Sequence, residues 1–172
     1  MPAWPFSPSR ASKDAGLLLR QVTSASRNPA LFGEGRVPDT LYGRFELISL
    51  HAALALLRLR GAPETEELAQ AFVDALFRHL DSGLREEGVG DLAVPKRVHK
   101  LAAVFYDRAD GYAEALGSGR SDLQGVLTRN VLDGKTAFAE PLARYVGALA
   151  AAQANLPWQT LLTEEGWRRF VA

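Results

Sequence analysis

A chain of 172 residues that is 47% hydrophobic and 23% charged has the composition of one globular domain with a substantial core, so disorder is not the default. Twenty basic and twenty acidic residues cancel, and the isoelectric point is about 6.8, so no global charge directs the chain to nucleic acid or an anionic membrane, and DNA is not an expected partner. The absence of cysteine removes disulfides, thiolate zinc sites and cysteine catalysis together, and suits a reducing compartment. No apolar run approaches the roughly 18 to 20 residues of a membrane-spanning helix. Gly16 to Leu19 is too short for the core of a secretory signal, so a cytoplasmic location is the expectation.

In chain order, residues 1–12 read as an extended tail with three prolines, Trp4 and Phe6, and residues 13–172 as a single helical domain. A first helix is predicted over Lys13 to Arg27, closed by Asn28-Pro29. A Gly- and Pro-rich connection follows, containing Phe32. Asp39, after Pro38, is the predicted N-cap of a second helix from Thr40 to Arg60. That helix carries two apolar stripes, one through Leu41, Phe45, Ile48, Ala52, Ala55 and Leu59 and another through Leu47, Leu50, Leu54 and Leu57. Two stripes imply packing on more than one side. The polar strip left over holds Arg44, His51 and Arg58.

A third helix from Glu64 to about Arg85 has acids in its first turn, and a fourth from Pro95 to Leu116 starts on proline, where the missing N–H costs nothing. Ser121-Asp122-Leu123-Gln124 has the capping-box pattern of a short fifth helix to about Leu132, which Asp133-Gly134 ends. A sixth is expected from Pro141 to about Ala152, and the aromatic residues after Pro157 suggest a last short helix folding back. With no alternating window and no repeat, the predicted fold is all-α, a single-domain irregular orthogonal bundle of six or seven helices.

Charge is distributed unevenly along the third and fourth helices. From Gly61 to Asp91 eight acids face two arginines, and from Leu92 to Tyr106 the cluster Lys96, Arg97, His99 and Lys100 precedes any acid. Uncompensated cations in the first turns of a helix oppose its dipole, so the cluster reads either as a solvated basic face or as a binding surface whose anionic partner relieves that opposition. The turn adds glycines and apolar residues, so the expected partner-binding edge is Gly88, Val89, Gly90, Asp91, Leu92, Val94, Lys96, Arg97 and Lys100. Arg44, on a helix with two apolar stripes, is expected to be partly buried against Asp81 or Asp74, since a buried guanidinium needs a carboxylate. Asp81 and Arg85 are spaced as an i,i+4 helix pair.

Catalytic and metal signatures are missing from the sequence. The three histidines fall on three different helices, none with a His, Asp or Glu at i+3 or i+4, so no metal site is expected. Gly88-Val89-Gly90 follows a helix and lacks a third glycine, and there is no phosphate-binding Gly-Lys-Ser loop or Gly-x-Ser-x-Gly elbow. Neither an enzymatic activity nor a cofactor is expected.

Two blocks carry a resemblance. Val37 to Leu47 (Val-Pro-Asp-Thr-Leu-Tyr-Gly-Arg-Phe-Glu-Leu) with Leu50-His51, and Leu76 to Asp81 continuing through Leu84 to Leu92 with Val94-Pro95-Lys96, resemble the ubiquinol-cytochrome c chaperone family in its compact bacterial form. The resemblance spans about residues 20 to 150 and does not reach beyond Ala150. Family motif positions fall on Asp39, Thr40, Gly43, Arg44, Phe45 and Glu46, and on the turn Gly88 to Asp91, with His51, Asp81 and Arg85 as further members of a structural network. The resemblance implies an all-α, non-enzymatic assembly factor for respiratory complex III, with newly made cytochrome b or its precursor as client. It also implies work beside the ribosome, and with it peripheral contact with the inner membrane. The basic N-terminus typical of the family is muted here, with only Arg10, Lys13 and Arg20 before Val22. Two readings from other classes stand beside it: a ribosome- or RNA-binding helical module, and a small carrier of a lipid or quinone.

Overall fold

The computed structural model describes residues 8–88, 90 and 93–171; the tail aromatics Trp4 and Phe6 lie outside them. Six α-helices follow one another: α1 (Arg10–Ser26), α2 (Leu41–Arg60), α3 (Glu66–Glu86), α4 (Val94–Ser118), α5 (Arg120–Asn130) and α6 (Ala139–Asn155). Short 3-10 turns cover Pro29–Leu31, Pro63–Thr65, Trp158–Leu162 and Glu164–Gly166. No strand occurs among the described residues, and the fold is an all-α bundle. α2 is its axis, with fourteen of its twenty residues buried, because its two apolar stripes face different neighbours. It packs on α1, α3, α4 and α6, while α1 lies along α3 and α5 bridges α4 to α6. One contiguous core results, running from Ala15 and Leu18 on α1 through Leu47, Leu50 and Leu54 on α2 to Leu142 and Val146 on α6.

Local chemistry moves several predicted boundaries. α1 starts three residues early because the Ser9 hydroxyl accepts from the Ser12 N–H at 3.1 Å, a cap that the charged residues following it obscure in the sequence. At α2 the cap is Thr40, whose Oγ1 accepts from the Gly43 N–H at 3.1 Å; Asp39 stands one position too early and turns its carboxylate to Arg44. The capping box at Ser121 does not form. Gly119 alone joins α4 to α5, its N–H bonded to the Ala115 carbonyl and its carbonyl to the Leu123 N–H, and the left-handed φ of +126° that this requires suits glycine. The C-terminal segment is two 3-10 turns and not a helix. It still folds back as expected: Trp167 is buried with its indole N–H on the Leu161 carbonyl, and Asn28 donates to the Phe170 carbonyl at 2.9 Å.

Candidate functional site

An open groove of about 1240 Å³ lies where the end of α1, the start of α2, the end of α3 and the first half of α4 meet. Phe45 and Ile48 of α2, Leu80 and Leu84 of α3, and Leu101 and Val104 of α4 give it an apolar floor. Its rim is charged. Arg27, Arg97 and Lys100 line it and enter no ion pair among the described residues, whereas Arg44 donates from Nε to Asp39 at 2.8 Å and feels Glu87 as well. Leu41 and Tyr42 stand on the lip with 47% and 59% of their surface exposed, among the few large apolar side chains of the described residues that solvent reaches so freely.

The two sequence blocks therefore meet in space. Residues 39–48 supply one wall and residues 79–104 the other, although thirty residues of chain separate them. Within the predicted partner edge, Arg97 and Lys100 line the groove. Lys96 is exposed just outside it. Val94 is a correction: it is fully buried at the start of α4 and so is unavailable to a partner. Gly88 takes a left-handed φ of +81° after the last residues of α3, with its N–H on the Arg85 carbonyl, and Gly90 accepts from the Ala93 and Val94 N–H groups. Both are backbone devices that reverse the chain between α3 and α4. Val89, Asp91 and Leu92 lie outside the described residues.

The charge network is placed differently from the expectation. Arg44 is exposed and pairs with Asp39, because its position on α2 faces the groove mouth and not α3. Asp81 pairs with Arg85 at 2.9 Å on the half-exposed flank of α3, and Asp74 accepts from Gln70. The buried charge is Glu46. Its carboxylate, wholly removed from solvent, is gripped by Arg108 of α4, with Nε 3.1 Å from Oε2 and Nη2 3.1 Å from Oε1. Burial by itself would lower the Arg108 pKa, but the hydrogen bonds and charge of Glu46, then Tyr42, raise it on balance. The same Nη2 reaches the Tyr42 hydroxyl at 3.3 Å, so the buried pair also orients the aromatic lip of the groove. Arg108 escaped the sequence reading. Its signal was weak: one arginine on α4, between Asp107 and Asp110, looks like surface decoration until α2 is laid across it.

His51 is buried in the opposite direction, toward α6. Its Nδ1 lies 2.7 Å from the Leu47 carbonyl, which can only accept, so Nδ1 carries the proton and Nε2 accepts from the Tyr145 hydroxyl at 2.9 Å. Burial lowers its pKa to about 4, with the Leu47 carbonyl opposing. Arg58, the third residue of the supposed polar strip, donates to the Gln153 and Leu156 carbonyls at 2.7 and 2.9 Å, completing the C-terminal end of α6. Arg44, His51 and Arg58 thus serve three different places and form no common surface. Among the described residues no group of His, Asp and Glu could hold a metal ion, and no helix is long and apolar enough to cross a membrane.

Comparison with known proteins adds a decisive fact. A family model described as "Ubiquinol-cytochrome C chaperone" matches residues 34–170. The chain belongs to that family. The match continues twenty residues past Ala150, so the C-terminal 3-10 turns are part of the family pattern and the shorter span inferred from the motifs is corrected. Among solved structures, the Cbp3 homolog from Brucella abortus shares the fold, with a TM-score of 0.79 and 33% identity over 95% of this chain and 92% of that one. None of the curated proteins matches the chain.

Proposed function

We propose that this protein is an assembly chaperone for respiratory complex III that holds newly made cytochrome b, or its precursor, in the groove between α2, α3 and α4. The family supports the assembly role. The observation that carries the choice of surface is the meeting of the two motif blocks on one apolar, cation-rimmed groove whose lip is made of exposed Leu41 and Tyr42. Such a surface suits a client that presents apolar segments before they reach their final partners or the bilayer. No chemistry is asked of the chaperone: holding apolar surface away from water and releasing it is a matter of binding alone. The work is done at the cytoplasmic face of the membrane that receives the client.

The test is a photo-reactive amino acid at position 42, expressed in the native organism and followed by mass spectrometry of the cross-linked products. Cytochrome b as the principal product, with lowered complex III in cells lacking the chaperone, is the expected result. Cross-links dominated by ribosomal components would transfer the role to ribosome binding.

A further inference from the structure

The groove has properties that specify what part of a client it takes. Its cations and acids are not equivalent. Asp39 is spent on Arg44, the charge of Glu87 acts on that same guanidinium, and the charge of Glu86 acts on half-buried His79, so the acids that line the groove already have positive neighbours. Arg97 and Lys100, three residues apart on one face of α4, and Arg27 at the end of α1 have no ion-pair partner among the described residues. The surplus on the rim is positive. Below the rim the wall is apolar, and nothing among the described residues offers a strand edge; the lone bridge, Phe32 with Val37, closes its own loop.

An incoming segment that sinks onto Phe45, Leu84 and Leu101 loses water from its backbone N–H and C=O groups and finds no ladder to replace it. It must satisfy them internally. A helix does so, an extended peptide does not. With side chains a helix is about 10 to 12 Å across, so a groove of about 1240 Å³ admits on the order of two to three turns. From the unpaired cations and the missing strand edge together, we infer that the groove captures one short amphipathic helix, apolar toward α2 and α3, whose carboxylates meet Arg97 and Lys100 on α4. This rests on the client reading above and names the chemistry of the bound segment.

The experiment uses the full-length protein and three fluorescein-labelled peptides of about eighteen residues, long enough to overhang the groove at both ends. One has a leucine and alanine stripe flanked by glutamates, a second has lysines in place of the glutamates, and a third is the first with two central prolines. Fluorescence anisotropy should show the glutamate peptide bound, and each of the other two weaker by about tenfold or more, the scale of one charge-assisted contact or of a lost helical fold. The variant Arg97→Glu with Lys100→Glu should reverse the order of the first two peptides. A second variant, Leu41→Glu, alters an exposed lip residue and should weaken both, which keeps the test valid if the double variant folds poorly. Equal binding of the lysine peptide, or of the proline-broken one, would overturn the inference. So would binding of phosphatidylglycerol vesicles that depends on Arg97 and Lys100 while the glutamate peptide fails to bind, because the rim would then be a membrane contact. Lost peptide selectivity with normal cytochrome b cross-linking sinks the helix proposal alone, whereas absent cross-linking with intact selectivity sinks the client reading alone.

Discussion

At Gly43 an added Cβ would lie 2.0 Å from the Pro38 carbonyl oxygen, because the first turn of α2 passes directly under the loop that precedes it. The loop cannot yield without uncapping α2, so Gly43→Ala should cost about 1 to 3 kcal/mol in urea denaturation. One and three positions after it, α2 carries a charge the fold does not depend on, Arg44, and one it does, Glu46. Arg108→Ala would strand the buried Glu46 carboxylate and should cost about 3 to 5 kcal/mol, while Arg44→Ala should leave the melting temperature nearly unchanged and affect client binding alone. Equal melting temperatures for the two variants would refute this division. His51 supplies a pH dependence. Its folded pKa of about 4 lies below the ordinary 6.5, so the unfolded chain binds the proton more readily, and its contribution is complete above pH 6.5 and lost as pH falls toward 4. The loss is on the order of 3 kcal/mol, and His79, lowered by burial and then by Arg27, acts in the same direction. His51→Gln should flatten the fall in stability across that window; an unchanged pH profile would show that other groups control acid unfolding.

Among the elements, α4 is the one whose charge and position disagree. It has no acid in its first turn and no side-chain cap, yet Lys96, Arg97 and Lys100 crowd the positive end of its dipole. Replacing Lys96 and Lys100 by glutamate should therefore hold or slightly raise the melting temperature while weakening client capture. A lower melting temperature would mean that the lysines support the fold. α3 shows the opposite arrangement, with Glu66 and Glu67 in its first turn and Arg85 in its last, as a helix optimised for itself would have. The contrast between neighbouring helices fits a division of labour in which α3 holds the groove's shape and α4 presents its charge.

For the molecule as a whole, the segment after α6 is the closure of the bundle. Trp167 packs beside His51, Phe170 stacks edge-on to Phe138 and Tyr145, and the Arg36 guanidinium lies over both phenylalanine rings. Gln153 and Asn28 donate to the Gly166 and Phe170 carbonyls, so the turns tie α6 to the loop after α1. Deleting residues 157–172 should open the core around His51 and convert cooperative thermal unfolding into a broad, early transition by calorimetry. A sharp transition near the full-length midpoint would show that these turns are an accessory. The loop that this closure holds, from Asn28 to Arg36, also contributes Pro29, Phe32 and Gly33 to the groove, so the closure supports one edge of it from behind.

Helix number, order and approximate limits were legible in the chain because they rest on local causes: apolar spacing of three or four, proline and glycine stops, and the acid-rich first turn of α3. The central position of α2 was legible too, since two apolar stripes on one helix require neighbours on two sides. The uneven charge of α3 and α4 marked Arg97 and Lys100, which the structure places on the groove. What sequence spacing could not decide is which polar residue of α2 is buried and against what. Arg44, Glu46 and His51 lie within eight positions, about 100° apart per residue, and only the packing of α4 and α6 determines that Arg44 faces solvent, Glu46 meets Arg108, and His51 meets Tyr145. The groove is likewise a tertiary fact, because its walls come from residues far apart in the chain and its apolar floor looks, in the sequence, like any other stretch of core.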